Sequence, residues 1–203
     1  LLNGRLTKSA NIVGQTMRLN PHGDATIYET MVRLSRGYQA LLHPYVESKG
    51  NFGRSYSRDM VYAASRYTEA KLAPICNELF GEIDKDTVDF VPNYDNTTKE
   101  PVLLPATFPS VLVNANVGIA VSMASAICPF NLKEVCETTI GLIKDPNYPI
   151  AETLRGPDFP GGGFFLYKED ELKKVYKTGR GSLKIRSRYQ YDKANNCIDI
   201  TEI

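Results

Sequence analysis

Apolar residues recur at helical spacing in two short stretches near the start of the chain. Ile12, Val13 and Met17 fall on one face of a helix over residues 9–19, with Ser9 placed to cap it. A turn, Asn20-Pro21-His22-Gly23, follows, and Asp24 is then an N-cap for a second helix in which Ile27, Met31 and Leu34 keep the period. Two short helices joined by a tight Gly-containing turn make a helix-turn-helix pattern. A loop through His43-Pro44 and Gly50-Asn51-Phe52-Gly53 leads to a basic strip with Arg54, Ser55, Ser57 and Arg58, and to a short helix from Asp59. Thr68 and Glu69 suit the start of a further helix, because Leu72, Ile75, Cys76, Leu79, Phe80 and Ile83 follow the 3.6-residue period. Pro74 either sits in the first turn of that helix or kinks it.

Farther along, a period of two takes over. Residues 87–91 alternate as a strand, and Asn93-Tyr94-Asp95-Asn96 is a turn. Past a proline-punctuated segment, 111–114 and 117–121 read as two apolar strands around an Asn-rich turn. Asn131 caps a helix carrying Leu132, Val135, Cys136, Ile140 and Ile143, with Glu134 at the capping-box position. Gly161-Gly162-Gly163 is a turn before the strand Phe164-Phe165-Leu166, since no Lys-Ser/Thr pair follows to make a phosphate loop. A helix over 169–177 ends at Thr178-Gly179. Strict alternation over 182–188 places Lys184, Arg186 and Arg188 on one strand face, and 197–203 alternates as a last strand.

Composition narrows the classes. With 203 residues, 42% hydrophobic and 23% charged, the chain has the length and content for one large or two small globular domains. A formal net charge of +1 creates no global field, so any nucleic-acid surface must be local. Cys76, Cys128, Cys136 and Cys197 lie far apart without a C-x-x-C pair, which argues against a zinc site and a disulfide framework and for a cytoplasmic setting. Arg5 and Lys8 interrupt any signal-peptide core. Residues 101–132 carry no charge, but Pro101, Pro105, Pro109, Asn114, Asn116 and Pro129 break the run, which favours a buried sheet and loop over a membrane span. The abrupt end after an apolar strand reads as a cut piece of a longer chain.

Candidate chemistry centres on Arg66-Tyr67. Tyrosine is a poor nucleophile because its phenol loses its proton only near pH ~10. An adjacent guanidinium favours the phenolate and can neutralise a phosphate oxygen during attack, as covalent phosphoryl transfer requires. His22 lies beside the N-terminus of the second helix, where free N–H groups and the helix dipole favour a phosphate; on spacing alone, shaping and capping the turn is the favoured role of His22 and Asp24. Arg33 and Arg36 project from that helix. The basic face of 184–188 is either solvated or tracks a phosphate backbone through Lys184 and Arg186. Asp84, Asp86 and Asp89 read as a solvated helix end and strand, so no metal site is expected.

The ordered motifs Lys8-Ser9-Ala10, Pro21-His22-Gly23-Asp24, Gly50-Asn51-Phe52-Gly53, Arg66-Tyr67-Thr68-Glu69, Thr87-Val88-Asp89-Phe90-Val91, Gly118-Ile119-Ala120-Val121, Gly156-Pro157-Asp158-Phe159-Pro160 and Thr178-Gly179-Arg180-Gly181-Ser182 span nearly the whole chain. In that order they resemble the breakage-reunion region of the bacterial type IIA topoisomerase A subunit, found in DNA gyrase and topoisomerase IV. The resemblance implies an α+β chain: a winged-helix, CAP-like helix-turn-helix DNA-binding domain over 1–103, then the start of an α/β tower domain over 104–203. It makes Tyr67 the nucleophile that leaves a 5′-phosphotyrosine link and a free 3′-hydroxyl, and Arg66 the stabiliser of the transition-state phosphate. Ile119 matches an apolar wedge that bends DNA, while Lys8, His22 and Arg33 match positions lining it. Ala25 and Glu29 match the two quinolone anchors, and Ala25 lacks the usual hydroxyl. Many members have histidine where this chain has Asn20.

The implied partners are double-stranded DNA, a second copy of the same chain, and a B subunit whose TOPRIM fold holds Mg²⁺ and which uses ATP for strand passage, giving an A2B2 enzyme in which this piece alone is inactive. A non-catalytic winged-helix module in which Tyr67 only packs is the alternative. A tyrosine recombinase would need a second arginine and His-x-x-Arg around the nucleophile, and neither His22 nor His43 lies in such a motif.

Overall fold

In the computed structural model, which describes residues 4–202, a two-residue strand β1 (Thr7–Lys8) runs straight into helix α1 (Ser9–Leu19). Helix α2 (Asp24–Leu34) follows the four-residue turn. Both helices fall where their apolar spacing puts them, but neither has the expected cap. Ser9 is the first residue inside α1 and fully buried, and Gly23 rather than Asp24 occupies the N-cap of α2, without a side-chain bond. Val13, Tyr28, Met31 and Val32 bury against Val46, Phe52 and Ala70, with Ile12, Ile27, Leu34, Tyr38 and Tyr62 packed around them. Met17, expected on the buried face, is exposed.

Strand β2 (Val46–Lys49) and strand β3 (Glu69–Leu72) complete a three-stranded antiparallel sheet in the order β1-β3-β2. Thr7 pairs with Ala70, and Val46 with Leu72. This overturns the helix expected from Thr68 onward. Segment 69–72 fills the gap between two strands, and ladder bonds on both sides with Ala70 buried outweigh a helical apolar period. Only beyond it does the chain coil, as a 3₁₀ turn at Pro74–Cys76 running into the one-turn helix α3 (Asn77–Phe80). Pro74 opens that turn, where its missing N–H is not needed. The short helix expected from Asp59 is also absent; 60–64 takes no regular structure and leads into the 3₁₀ turn Ser65–Tyr67. Strands β4 (Phe90–Pro92) and β5 (Lys99–Pro101) form a hairpin over the predicted Asn93–Asn96 turn.

These elements belong to one compact unit, Leu1–Phe108, and a second unit comprises Pro109–Ile203. In the second, 110–112 is a 3₁₀ turn and not a strand. The apolar hairpin is instead β6 (Asn116–Ala120) with β7 (Met123–Ile127), turning at Val121-Ser122, where Ser122 takes a left-handed φ of 69°. Asn131 caps α4 (Leu132–Lys144) as expected, accepting from the Lys133 and Glu134 N–H groups. Glu134 does not close the box: its carboxylate accepts the Arg155 N–H at 3.1 Å. Helix α5 (Ile150–Thr153) follows, then strand β8 (Phe164–Phe165) and helix α6 (Glu169–Thr178), whose C-cap Gly179 has φ 66°. The single strand expected over 182–188 is two: β9 (Ile185–Arg186) pairs with β8, and after Ser187 the chain changes partner as β10 (Arg188–Asp192), pairing with β11 (Cys197–Glu202). Ile203, the last residue of the expected terminal strand, lies outside the described residues. Helices and small antiparallel sheets thus mix throughout, an α+β chain. Among the described residues no helix is long and apolar enough to cross a membrane.

Candidate active site

Tyr67 sits where a segment without regular structure tightens into a 3₁₀ turn just before β3. Its N–H donates to the Ala64 carbonyl at 2.9 Å, and Thr68 is already extended. The local order is the reverse of the expected one, since the pair precedes a strand rather than a helix. The Tyr67 side chain is 66% exposed. The Arg66 guanidinium lies over its ring, 4.9 Å from the centroid, a cation–π contact that makes arginine and phenol one exposed group. Arg66 has no carboxylate partner among the described residues, so its charge is free for an anionic ligand.

Beneath this exposed pair lies a buried polar seam. Thr68 is fully buried. Its hydroxyl donates to Ser9 Oγ at 2.8 Å and meets the Tyr28 hydroxyl at 2.8 Å, and its carbonyl accepts the Ser9 N–H at 3.0 Å. The Tyr28 hydroxyl also lies 2.8 Å from the Ala63 carbonyl, so its one proton is shared between that carbonyl and the Thr68 oxygen. On the far side, Gly50 has φ 105°, and a Cβ there would stand 3.3 Å from the Tyr67 carbonyl oxygen. Asn51 holds the approach: its carbonyl accepts the Ala63 N–H at 2.9 Å and its Nδ2 donates to the Val61 carbonyl at 3.1 Å.

The cations and the helix positions divide unevenly. Lys8 on β1 pairs with Glu69 at 3.1 Å, and Lys49 lies 3.7 Å from the same carboxylate. The bond and charge of Lys8, reinforced by Lys49, hold the Glu69 carboxyl below its ordinary range. Lys8 is therefore a shared cation, whereas Arg66 is not. On α2, Ala25, Glu29 and Arg33 recur every fourth residue and are all exposed, so they line one outward face. Glu29 accepts from the Tyr62 hydroxyl at 3.2 Å, and burial, followed by the Glu29 charge, pushes the Tyr62 phenol up. His22 is exposed at the head of α2, with its N–H donated to the Asn20 carbonyl at 2.8 Å. The first intrahelical bond of α2 runs from the Ile27 N–H to Gly23, which leaves the N–H groups of residues 24–26 at an open helix end.

In the second unit Ile119 is 87% exposed on β6, beside the exposed Val117, Val121 and Met123. Lys184 and Arg186 are exposed too, although the partner change at Ser187 removes the continuous strand that was to align them with Arg188. Phe164 brings two of the three together instead, with the Arg186 and Arg188 guanidinium groups 5.4 and 5.2 Å from its ring centroid. Asp84, Asp86 and Asp89 form no metal-type group among the described residues; Asp192, Cys197 and Asp199 come within 4.8 Å of one another, but the Asp192 carboxylate is engaged with Asn195 and the Ala194 N–H in its own turn.

What sequence reasoning missed is the seam. Ser9 reads as a cap and Thr68 as a helix start, and nothing local marks their hydroxyls as partners 59 residues apart.

Comparison with known proteins agrees with the motif order. A family model for the A subunit of DNA gyrase/topoisomerase IV matches residues 2–203. The chain is 45% identical over 192 residues to the DNA topoisomerase 4 A subunit of Rickettsia conorii, covering 93% of this chain and 26% of that protein. It is 46% identical over 191 residues to the Neisseria gonorrhoeae protein of the same name, covering 92% and 24%. It is 45% identical over 203 residues to the DNA gyrase A subunit of Staphylococcus epidermidis, covering 97% and 22%. The chain therefore spans about a quarter of the length of these relatives.

Proposed function

Because the chain belongs to the A-subunit family of DNA gyrase and topoisomerase IV, we propose that it supplies the DNA-cleaving portion of a type II topoisomerase working in the cytoplasm. The observation that carries this reading is the exposed Tyr67 with the Arg66 guanidinium against its ring. A tyrosine that served only for packing would not be 66% exposed, which counts against a non-catalytic module. The two helices and the β1-β3-β2 sheet are read as a winged-helix, CAP-like DNA-binding domain, and the second unit as the start of the tower.

In this reading the Tyr67 Oη attacks a DNA phosphorus. The P–O3′ bond breaks as the tyrosyl P–O bond forms, leaving a 5′-phosphotyrosine and a 3′-hydroxyl that takes up a proton. One phosphodiester replaces another, so resealing is the same exchange in reverse and draws on no outside energy source. Arg66 faces the charge that gathers on the non-bridging oxygens. The Lys8, His22 and Arg33 side chains and the open end of α2 hold the backbone near the turn, Lys184 and Arg186 add contacts, and Ile119 on its exposed apolar hairpin wedges between base steps. Two copies cut the two strands.

The side chains around Tyr67 do not fit a divalent ion. Glu69, the carboxylate nearest in sequence, is held by Lys8 and Lys49. Mg²⁺ is therefore assigned to the TOPRIM fold of a partner B subunit, which also uses ATP for strand passage in an A2B2 assembly. The test is Tyr67→Phe in the reconstituted enzyme with supercoiled DNA. Loss of all protein-linked 5′ ends, with DNA affinity kept, is expected; persistence of such ends in the variant places the nucleophile elsewhere.

A further inference from the structure

Two-thirds exposed, the Tyr67 ring lacks the surrounding packing that usually fixes a side chain, so the phenolic oxygen is located by the backbone of its turn. That backbone is stapled at both feet by one atom. The Tyr28 hydroxyl lies 2.8 Å from the Ala63 carbonyl before the turn and 2.8 Å from the Thr68 hydroxyl after it. Thr68 is in turn fastened twice to Ser9, through its hydroxyl and through its carbonyl. Since Ser9 opens α1 and Tyr28 lies mid-way along α2, the seam references the turn to both helices at once. A tilt of the turn by about 10° swings the far end of a tyrosine by roughly 1 Å, and a misplacement of that size costs on the order of a hundredfold in rate.

We propose that Thr68 is a positioning residue for the cleavage reaction, acting with Tyr28 to aim Tyr67 from beneath. This rests on Tyr67 being the nucleophile. The hydroxyl matters here rather than the volume, because the carbon atoms of Thr68 fill buried space that valine fills as well.

The experiment measures single-turnover cleavage at saturating DNA, in the enzyme reconstituted with its metal-bearing partner, for Thr68→Val, Thr68→Ser, Tyr28→Phe and Tyr67→Phe, with DNA affinity and thermal unfolding of each. Thr68→Val is expected to slow cleavage about ten- to a hundredfold while DNA affinity stays within about twofold, and Thr68→Ser to recover most of the rate. Tyr28→Phe, which keeps its ring in the core, should show the same split and stands in should Thr68→Val fail to fold. A folded Thr68→Val or Tyr28→Phe that cleaves at the wild-type rate overturns the proposal, as does a serine variant no faster than valine. Tyr67→Phe separates the two readings: covalent DNA formed by that variant sinks the nucleophile assignment itself, whereas its absence beside normal Thr68→Val cleavage sinks only the positioning role.

Discussion

Replacing Arg66 by alanine separates its contribution to the fold from the role proposed for it in the chemistry, because the two magnitudes differ widely. Arg66 is exposed, has no carboxylate partner among the described residues, and its structural contact is the face of the Tyr67 ring at 4.9 Å. An exposed cation–π contact contributes about 0.5–1 kcal/mol, and part of that is entropy lost by a long side chain held in place. For a unit of this size a loss below 1 kcal/mol moves Tm by less than about 8 °C. Loss of a charge contact made in the transition state costs about 3 kcal/mol, or roughly a hundredfold in rate. Arg66→Ala should therefore unfold almost normally and yet cleave about a hundred times more slowly. Quenched-flow accumulation of protein-linked DNA, set beside a thermal melt, reads both numbers. Arg66→Lys keeps the charge without the planar stack and should fall between. Cleavage by Arg66→Ala within about threefold of wild type would refute the transition-state role; a rate loss matched by a proportionate loss of stability would refute the claim that the arginine is dispensable to the fold.

Two further outcomes follow from the same unit. Lys8 and Lys49 hold the Glu69 carboxyl below its ordinary value of 4.5, so its ion pairing stabilises the fold fully above that pH and is lost as pH falls through the lowered value. Urea melts should show Glu69→Gln less stable than wild type at neutral pH, with the gap closing in acid below 4.5; a gap that is independent of pH would contradict the pairing. On α2, Ala25 and Glu29 lie one turn apart on the exposed face, but Ala25 offers no hydroxyl. Ala25→Ser is expected to raise the yield of quinolone-stabilised cleavage complexes in a dose series with the reconstituted enzyme, and identical curves would remove Ala25 from the drug site.

Much of this protein is legible residue by residue, for reasons that act over a few positions. The apolar spacing of 9–19 and 24–34 places α1 and α2, the Asn131 side chain caps α4, Gly179 supplies the left-handed stop of α6, and alternation marks β11. The adjacency of Arg66 and Tyr67 is likewise a property of the sequence, and so is the order of motifs that identifies the family. Each is a local device, settled by backbone sterics, a side chain reaching its own neighbours, or a strict period. Tertiary structure decided what depends on distant partners. Residues 69–72 stand where the apolar period from Leu72 to Ile83 predicts the start of a helix but become a strand, because β1 and β2 offer ladder bonds on both sides. Glu134 leaves its capping box for the Arg155 N–H, and the basic run over 182–188 breaks at Ser187 because its two halves find different strands to pair with. The seam beneath Tyr67 is the clearest case. A hydroxyl is worth burying only when another polar group comes to meet it, and whether Ser9, Tyr28, Ala63 and Thr68 meet is settled by the packing of two helices on a sheet.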